Sequence, residues 1–383
     1  MPIDDPVALS LSGERLTAIY RIRAADEGAA LLRAQDICLE QTVEFPAALI
    51  PSELIRAQIV GSVDALTAAG SGAWDVRIRY PVEAAGAELT QLVNLLFGNV
   101  ALQPGVRLMD FSLPDGMLAG FRGPRFGITG LRGLLAVHDR PLLCTALKPM
   151  GLSAQALAAL AYELALGGID LIKDDHGLTD QPFCPVDERI GRCAEAVERA
   201  NRETGRRCLY LPNVTAPAGE IARRARAAKA AGAGGLLFCP GLAGLDAMRA
   251  LADDAGLAMP ILGHPAFIGG LALSPDAGLS HKVLYGRLHR LAGADAAIFP
   301  HHGGRFAYSE AECRDILAGC TDAMGELAPI FPVPAGGMQL GRVRELRAFY
   351  GRDCILLIGG DLHAGDEGLI ARARRFVALA GSD

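Results

Sequence analysis

Beyond about residue 135 the chain falls into a regular beat. Short apolar runs recur, each closed by polar, glycine or proline residues. They are Leu142–Leu147, Ile169–Ile172, Cys208–Leu211, Gly235–Cys239, Pro260–Leu262, Ala296–Phe299, Ile330–Val333 and Ile355–Ile358. Runs this short, apolar on both faces, predict buried strands of a parallel sheet. Between them lie Ala/Leu-rich stretches with apolar residues at helical spacing, including Ala154–Leu166, Ile221–Ala231, His281–Leu291 and Ala311–Met324. Eight strands alternating with helices over ~240 residues have the size and rhythm of a (β/α)8 TIM barrel. The rival is a doubly wound open sheet. It usually carries a glycine-rich nucleotide loop after its first strand, and Lys148-Pro149-Met150-Gly151 is not one.

The first part of the chain patterns differently. Leu16–Arg23, Trp74–Tyr80 and Val106–Leu113 read as strands, and Glu27–Ile37 and Glu88–Phe97 as helices. This order predicts a small α+β sheet domain over residues 1–135, with the barrel over 136–383 and the Gly- and Arg-rich stretch Gly120–Gly133 as the connection.

Composition narrows the function classes. Hydrophobic residues make up 51% of the chain, enough for a large core. Net charge is −6, which gives no basic footprint for nucleic acid. No uncharged apolar run approaches the ~18 residues of a membrane span. The acidic opening Met1-Pro2-Ile3-Asp4-Asp5 is not a secretory leader. The nine cysteines are dispersed and show no metal spacing, so they read as reduced, buried thiols of a cytoplasmic protein. Only four of the 37 basic residues are lysines: Lys148, Lys173, Lys229 and Lys282. A GC-rich genome accounts for that bias, but not for where the lysines fall.

Barrel enzymes carry their chemistry just beyond the C-terminal ends of the strands. Here those positions hold Lys148; Lys173-Asp174-Asp175-His176; Asn213 and Thr215; His264; His301-His302; Gly336-Gly337; and Gly359-Gly360-Asp361. Side chains alternate along a strand, so Lys173 and Asp175 can point into the same pocket. The bland reading is an ion pair closing the barrel mouth. The sharper one is a metal site. A lysine whose pKa is lowered by burial can add CO2 as a carbamate, and with Asp175 and a third ligand this would hold Mg2+ by oxygen. Gly336, Gly337, Gly359 and Gly360 follow strands seven and eight, where barrels often bind a substrate phosphate; tight turns are the alternative. His264, His301 and His302 are candidate acids or bases, substrate donors or metal ligands. Arg305 is a candidate partner for an anionic group. His138, His281, His289 and His363 read as structural.

At these residues the chain resembles the RuBisCO large-subunit superfamily, and specifically its RuBisCO-like proteins. The resemblance is carried by Gly151-Leu152-Ser153, by the run from Ala161 to Asp175 ending Gly167-Gly168-Ile169-Asp170-Leu171-Ile172-Lys173-Asp174-Asp175, and by Leu178-Thr179-Asp180-Gln181-Pro182-Phe183. Leu147-Lys148-Pro149, Asn213-Val214-Thr215-Ala216, Gly263-His264-Pro265-Ala266, Leu291-Ala292-Gly293-Ala294-Asp295 and Gly98-Asn99-Val100 support it over nearly the whole chain. It implies a ferredoxin-like N-terminal domain and a head-to-tail homodimer whose active sites are shared between subunits, with Glu40 and Asn99 at the contributing positions. It also places Lys173 on the carbamylated lysine and Asp175 on the aspartate ligand to Mg2+.

The departures from the family bear on function. His176 stands where the family usually has a glutamate ligand. Magnesium prefers oxygen, so the change weakens Mg2+, favours Mn2+, or leaves His176 outside the metal's coordination. The second lysine after the strand-one motif is absent, and the loop His301-His302-Gly303-Gly304-Arg305-Phe306-Ala307-Tyr308 has no lysine to stabilise added CO2. CO2 fixation is therefore excluded. The chemistry such a site implies is enolisation, with Lys148 at the end of strand one as the candidate acid/base. Because the site is poor in bases and its histidines and Arg305 could receive a carboxylate, the expectation is a lyase. It would decarboxylate, or otherwise cleave a C–C bond in, a phosphorylated keto-sugar acid such as 3-oxo-isoapionate 4-phosphate. The alternatives are a 5-methylthioribulose-1-phosphate isomerase, a diketo-methylthiopentyl-phosphate enolase of methionine salvage, and a non-catalytic regulatory binding protein. The last is disfavoured because Lys173 and Asp175 both remain.

Overall fold

The structure, a computed structural model, describes residues 11–381. The acidic opening Met1–Asp5 lies outside the described residues. The chain forms two compact units. The first runs to Phe121 and takes in Ile268–Leu284 and Met324–Glu326; the second comprises Arg122–Phe267, Tyr285–Ala323 and the chain from Leu327.

The first unit is built on β1 (Arg15–Arg23), where Leu16, Ala18, Tyr20 and Ile22 are buried and their neighbours are not. That alternation puts one face of the strand against a core. The helix Glu27–Glu40 supplies Ala30, Ala34, Ile37 and Cys38 to the core, and its N-terminus is capped by Asp26, which accepts from the Ala29 N–H. With β2 (Ser62–Ala68), β3 (Ala73–Pro81) and β4 (Val106–Ser112), β1 forms an antiparallel sheet, flanked by β3 on one side and β4 on the other. A two-residue strand, Gly278–Leu279, extends it in parallel beyond β4.

The second unit holds eight parallel strands: β5 (Leu142–Leu147), β6 (Leu171–Asp174), β7 (Leu209–Leu211), β8 (Leu236–Phe238), β9 (Ile261–Gly263), β10 (Ala296–Pro300), β11 (Phe331–Ala335) and β12 (Ile355–Leu357). Hydrogen bonds join them in the orders β12-β5-β6-β7 and β11-β10-β9-β8. A bridge between Asn213 and Leu237 links the two sets, and β11 packs beside β12. The centre is filled by side chains from every strand, among them Leu142, Leu171, Leu211, Leu237, Leu262, Ile298, Val333 and Ile355. The expected (β/α)8 barrel and α+β sheet unit are both present. The helix expected over His281–Leu291 is wound as a π-helix through Lys282–Arg287 before an α-turn at Leu288–Leu291. Among the described residues no helix is long and apolar enough to cross a membrane.

Buried ions tie the strands at the end where they begin. Asp170, just before β6, takes two hydrogen bonds from Arg140, at 2.7 and 2.9 Å, and one from the Leu143 N–H. Asp295, just before β10, accepts from the N–H groups of Phe126, Gly127 and Ile261. With that end pinned, the strands' C-terminal ends are left to carry chemistry.

Candidate active site

Strand register assembles the site. Ala146 of β5 lies opposite Lys173 of β6. Two residues further on, the same faces carry Lys148 and Asp175, and Lys148 Nζ stands 3.0 Å from Asp175 Oδ1. His176 Nδ1 reaches the same oxygen at 3.4 Å. Burial works against a charge on Asp175, but the hydrogen bonds from His176 and Lys148, with the nearby Lys173, hold the carboxyl well below the usual carboxylate range.

Lys173 is fully buried. Burial pushes its amine down from the ordinary lysine value, and Nζ donates to the Asp174 carbonyl at 3.0 Å. Asp174 points the other way along the strand, as alternation requires. It is fully buried and accepts from Arg189 Nε at 3.0 Å, the Tyr210 hydroxyl at 2.7 Å and the Asn213 N–H at 3.0 Å. The two adjacent aspartates thus divide the work: Asp174 anchors β6 and Asp175 faces the pocket.

His264 closes another side. Its ring stacks on His176, with centroids 4.2 Å apart and planes 15° from parallel. Burial, with the positive charge of Lys173, pushes its pKa down to about 2, so the imidazole is neutral. Its Nδ1 accepts the Ala266 N–H at 3.1 Å, which leaves the ring proton on Nε2. Asn213 serves as a brace: Nδ2 donates to the carbonyls of His176 and Leu178 and Oδ1 accepts the Thr215 N–H. Thr215 Oγ1 in turn accepts from the Cys239 N–H.

The remaining residues singled out from the sequence lie in other groups. Gly359 borders the lysine, since a Cβ there would come within 3.9 Å of Lys148 Cε. A Cβ on Gly360 would meet nothing within 4 Å. Gly336 and Gly337 have φ of 90° and 94°, and Cβ atoms there would run into Phe306 and Arg305. These two glycines therefore seat the loop after β10, and the Arg305 N–H donates to the Gly336 carbonyl at 2.8 Å. The Arg305 guanidinium lies over the Phe306 ring. His301 is buried, with Nδ1 2.9 Å from the Tyr350 hydroxyl. In the first unit, Asn99 Nδ2 donates to Glu40 Oε1 at 2.9 Å. Arg189 and Tyr210, which fix Asp174, carry no sequence signal, because their partner is chosen by strand alternation and a distant helix.

The residues around Asp175 fit a divalent cation. Lys173 offers a buried amine with a lowered pKa, the form that adds CO2. Asp175 offers an ionised carboxylate, and His176 turns a ring nitrogen toward it. A carbamate oxygen and a carboxylate oxygen suit Mg2+, and an imidazole in the same set moves the preference toward Mn2+.

Known proteins resemble this chain over nearly its whole length. Residues 127–376 match the family model "Ribulose bisphosphate carboxylase large chain, catalytic domain". The chain is 42% identical over 369 residues to ribulose bisphosphate carboxylase-like protein 1 of Rhodopseudomonas palustris, covering 96% of this chain and 98% of that one. It is 40% identical over 372 residues to a 5-methylthioribulose-1-phosphate isomerase of Rhodospirillum rubrum, covering 96% and 97%. The crystal structure of a Rubisco-like protein from Rhodopseudomonas palustris superimposes with a TM-score of 0.86 at 40% identity, over 96% of this chain and 98% of that one. The chain belongs to the ribulose bisphosphate carboxylase large-chain family, among its RuBisCO-like proteins.

Proposed function

We propose that this chain is a metal-dependent, non-carboxylating enzyme that forms an enolate from a phosphorylated ketose and isomerises it, with 5-methylthioribulose 1-phosphate as the substrate type. The observation that carries the reading is the meeting of Lys148 Nζ and His176 Nδ1 on one oxygen of Asp175, which puts a proton carrier beside the candidate metal ligands. The isomerase relative, aligned over 96% of the chain, points to the same class.

Lys173 as its carbamate, Asp175 and His176 would hold the cation. When bound, a divalent cation supplies positive charge to the oxygen on which the enolate develops. Lys148 takes the proton from one carbon and returns it to the next. His264, neutral and protonated on Nε2, donates a hydrogen bond to a substrate oxygen. Gly359 and Gly360, with Gly336, Gly337 and Arg305, receive the phosphate. Glu40 and Asn99 of a second copy complete each site of a homodimer. The nine cysteines are free and buried, in keeping with a reducing cytoplasm.

One observation favours decarboxylation of a phosphorylated keto acid as a second reading. Lys148 is tied to Asp175 and His264 is a very weak base, so proton acceptors are scarce, and loss of CO2 needs none.

The test is incubation in D2O with 5-methylthioribulose 1-phosphate, bicarbonate and Mg2+ or Mn2+, followed by proton and phosphorus NMR. Isomerisation with deuterium entering beside the carbonyl is expected. Absence of both product and exchange with either metal would overturn the isomerase reading. CO2 release from 3-oxo-isoapionate 4-phosphate would establish the second.

A further inference from the structure

A second group of metal-ligating side chains lies at the root of the loop after β10. His301 and His302 follow Pro300, the last residue of that strand. Cys313 sits in the first turns of the helix Glu310–Thr321, whose start is fixed by a capping box between Ser309 and Glu312. One ligand atom from each of His301, His302 and Cys313 lies within 4.8 Å of the others. The two imidazole rings are 4.1 Å apart, centroid to centroid.

The two rings are only partly satisfied by the protein, while the Cys313 thiol donates to the Pro300 carbonyl at 3.9 Å. His301 and Cys313 are fully buried. Buried ring nitrogens on both histidines, Nε2 of His301 and Nδ1 of His302, have no hydrogen-bond partner. Leaving such atoms unpaired costs roughly 1–3 kcal/mol each. A cation would take up ring-nitrogen lone pairs that the fold leaves unused. The Tyr350 hydroxyl, 2.9 Å from His301 Nδ1, stands at the edge of the group.

We propose that His301, His302 and Cys313 form a second metal site, separate in its ligands from Lys173, Asp175 and His176, for a divalent cation of the zinc class. Two imidazoles and a thiolate are the donors that zinc takes and magnesium refuses. Three donors within 4.8 Å need only modest contraction to meet one ion at Zn–N and Zn–S distances of ~2.0–2.3 Å. Burial depresses the proton affinity of both rings, leaving them neutral as ligation requires, while it raises that of the thiol. Binding therefore expels one proton, from Cys313 Sγ to solvent, as the metal–sulfur bond forms. The ion would pin the loop of Arg305 and Phe306 to the helix that carries Cys313.

Cobalt substitution reads the site directly. Chelator-treated full-length protein titrated with Co2+ should develop a thiolate-to-cobalt charge-transfer band at one equivalent, and Zn2+ should abolish it. The band should be missing in Cys313→Ser and in His302→Ala, each confirmed folded by circular dichroism, and should persist in Cys320→Ser. Two informative variants keep the test open if one of them does not fold. No band in the folded wild type, or a band undiminished in either Cys313→Ser or His302→Ala, would show a merely hydrogen-bonded cluster and end the proposal.

Discussion

Lys148 and Asp175 face each other across neighbouring strand ends, 3.0 Å apart, two residues beyond the in-register pair Ala146 and Lys173. The contact is a consequence of strand geometry: period-two alternation carries the inward face from the barrel core to its mouth. It also sets a competition, because a cation bound at Asp175 would displace Lys148 Nζ from that oxygen.

Lys173 is buried, and its amine donates to the Asp174 carbonyl rather than to a carboxylate. Lys173→Ala should therefore leave the fold intact, since it removes a buried amine rather than half of an ion pair. It should lower turnover about 100-fold or more and remove bicarbonate-dependent uptake of Mg2+ or Mn2+ measured by titration calorimetry. A variant that retains bicarbonate-linked metal binding would show that the carbamate lies elsewhere.

The two glycine pairs should respond differently to a methyl group. At Gly337, φ of 94° and a Cβ 2.7 Å from Arg305 Cγ make alanine both strained and crowded. Gly337→Ala should lower the melting temperature. At Gly360 there is open space, so Gly360→Ala should melt like wild type and act only by raising KM for a phosphorylated substrate. Unchanged KM in Gly360→Ala would remove that residue from the phosphate site.

Much of this was legible in the sequence because the barrel strands are short, apolar and buried on both faces. β2 was not: in Ser62–Ala68 no residue is buried, so no contrast marks the strand. The two-residue strand Gly278–Leu279 is too short to show a period. Alternation predicted that Lys173 and Asp175 share a side, but it fails at His176, where the strand has ended and the chain is free to turn the ring. The group of His301, His302 and Cys313 with Tyr350 draws on a strand end and two different helices, and only tertiary packing brings those together.

His176 stacks on His264 while its Nδ1 stands 3.4 Å from Asp175 Oδ1, a position from which it would reach a cation held by that carboxylate. His176→Glu should shift metal preference from Mn2+ toward Mg2+, because carboxylate oxygen suits the harder ion. Paired affinity measurements for both metals check this. If both affinities stay at wild-type values and only KM rises, His176 contacts substrate alone.

Acid should weaken the fold through His301. Burial holds its pKa down to about 4, below the ~6.5 of a free histidine. As pH falls through 6.5 the unfolded chain takes up this proton and the folded one does not. Stability is thus complete above ~6.5 and is lost progressively toward ~4, by up to ~2 kcal/mol at pH 5. His301→Gln, which can still hydrogen-bond Tyr350, should flatten the decline of the urea midpoint between about pH 7 and 5. An identical slope in the variant would assign the acid sensitivity to other groups.

The proposed shared-site homodimer makes the most demanding prediction. Asn99 and Glu40 are hydrogen-bonded to each other in the N-terminal unit, while Lys173 lies in the barrel. If each site draws Asn99 from one subunit and Lys173 from the other, then Asn99→Ala and Lys173→Ala homodimers are both inactive. In their hybrid, however, one site carries both defects and the other carries neither. Random mixing makes half of all dimers hybrid, so refolding the two inactive proteins together should restore about a quarter of wild-type turnover. Sites built within single subunits would each keep one defect, and mixing would restore nothing. Separately tagged variants, purified through both tags, isolate the hybrid, for which about half of wild-type activity is expected.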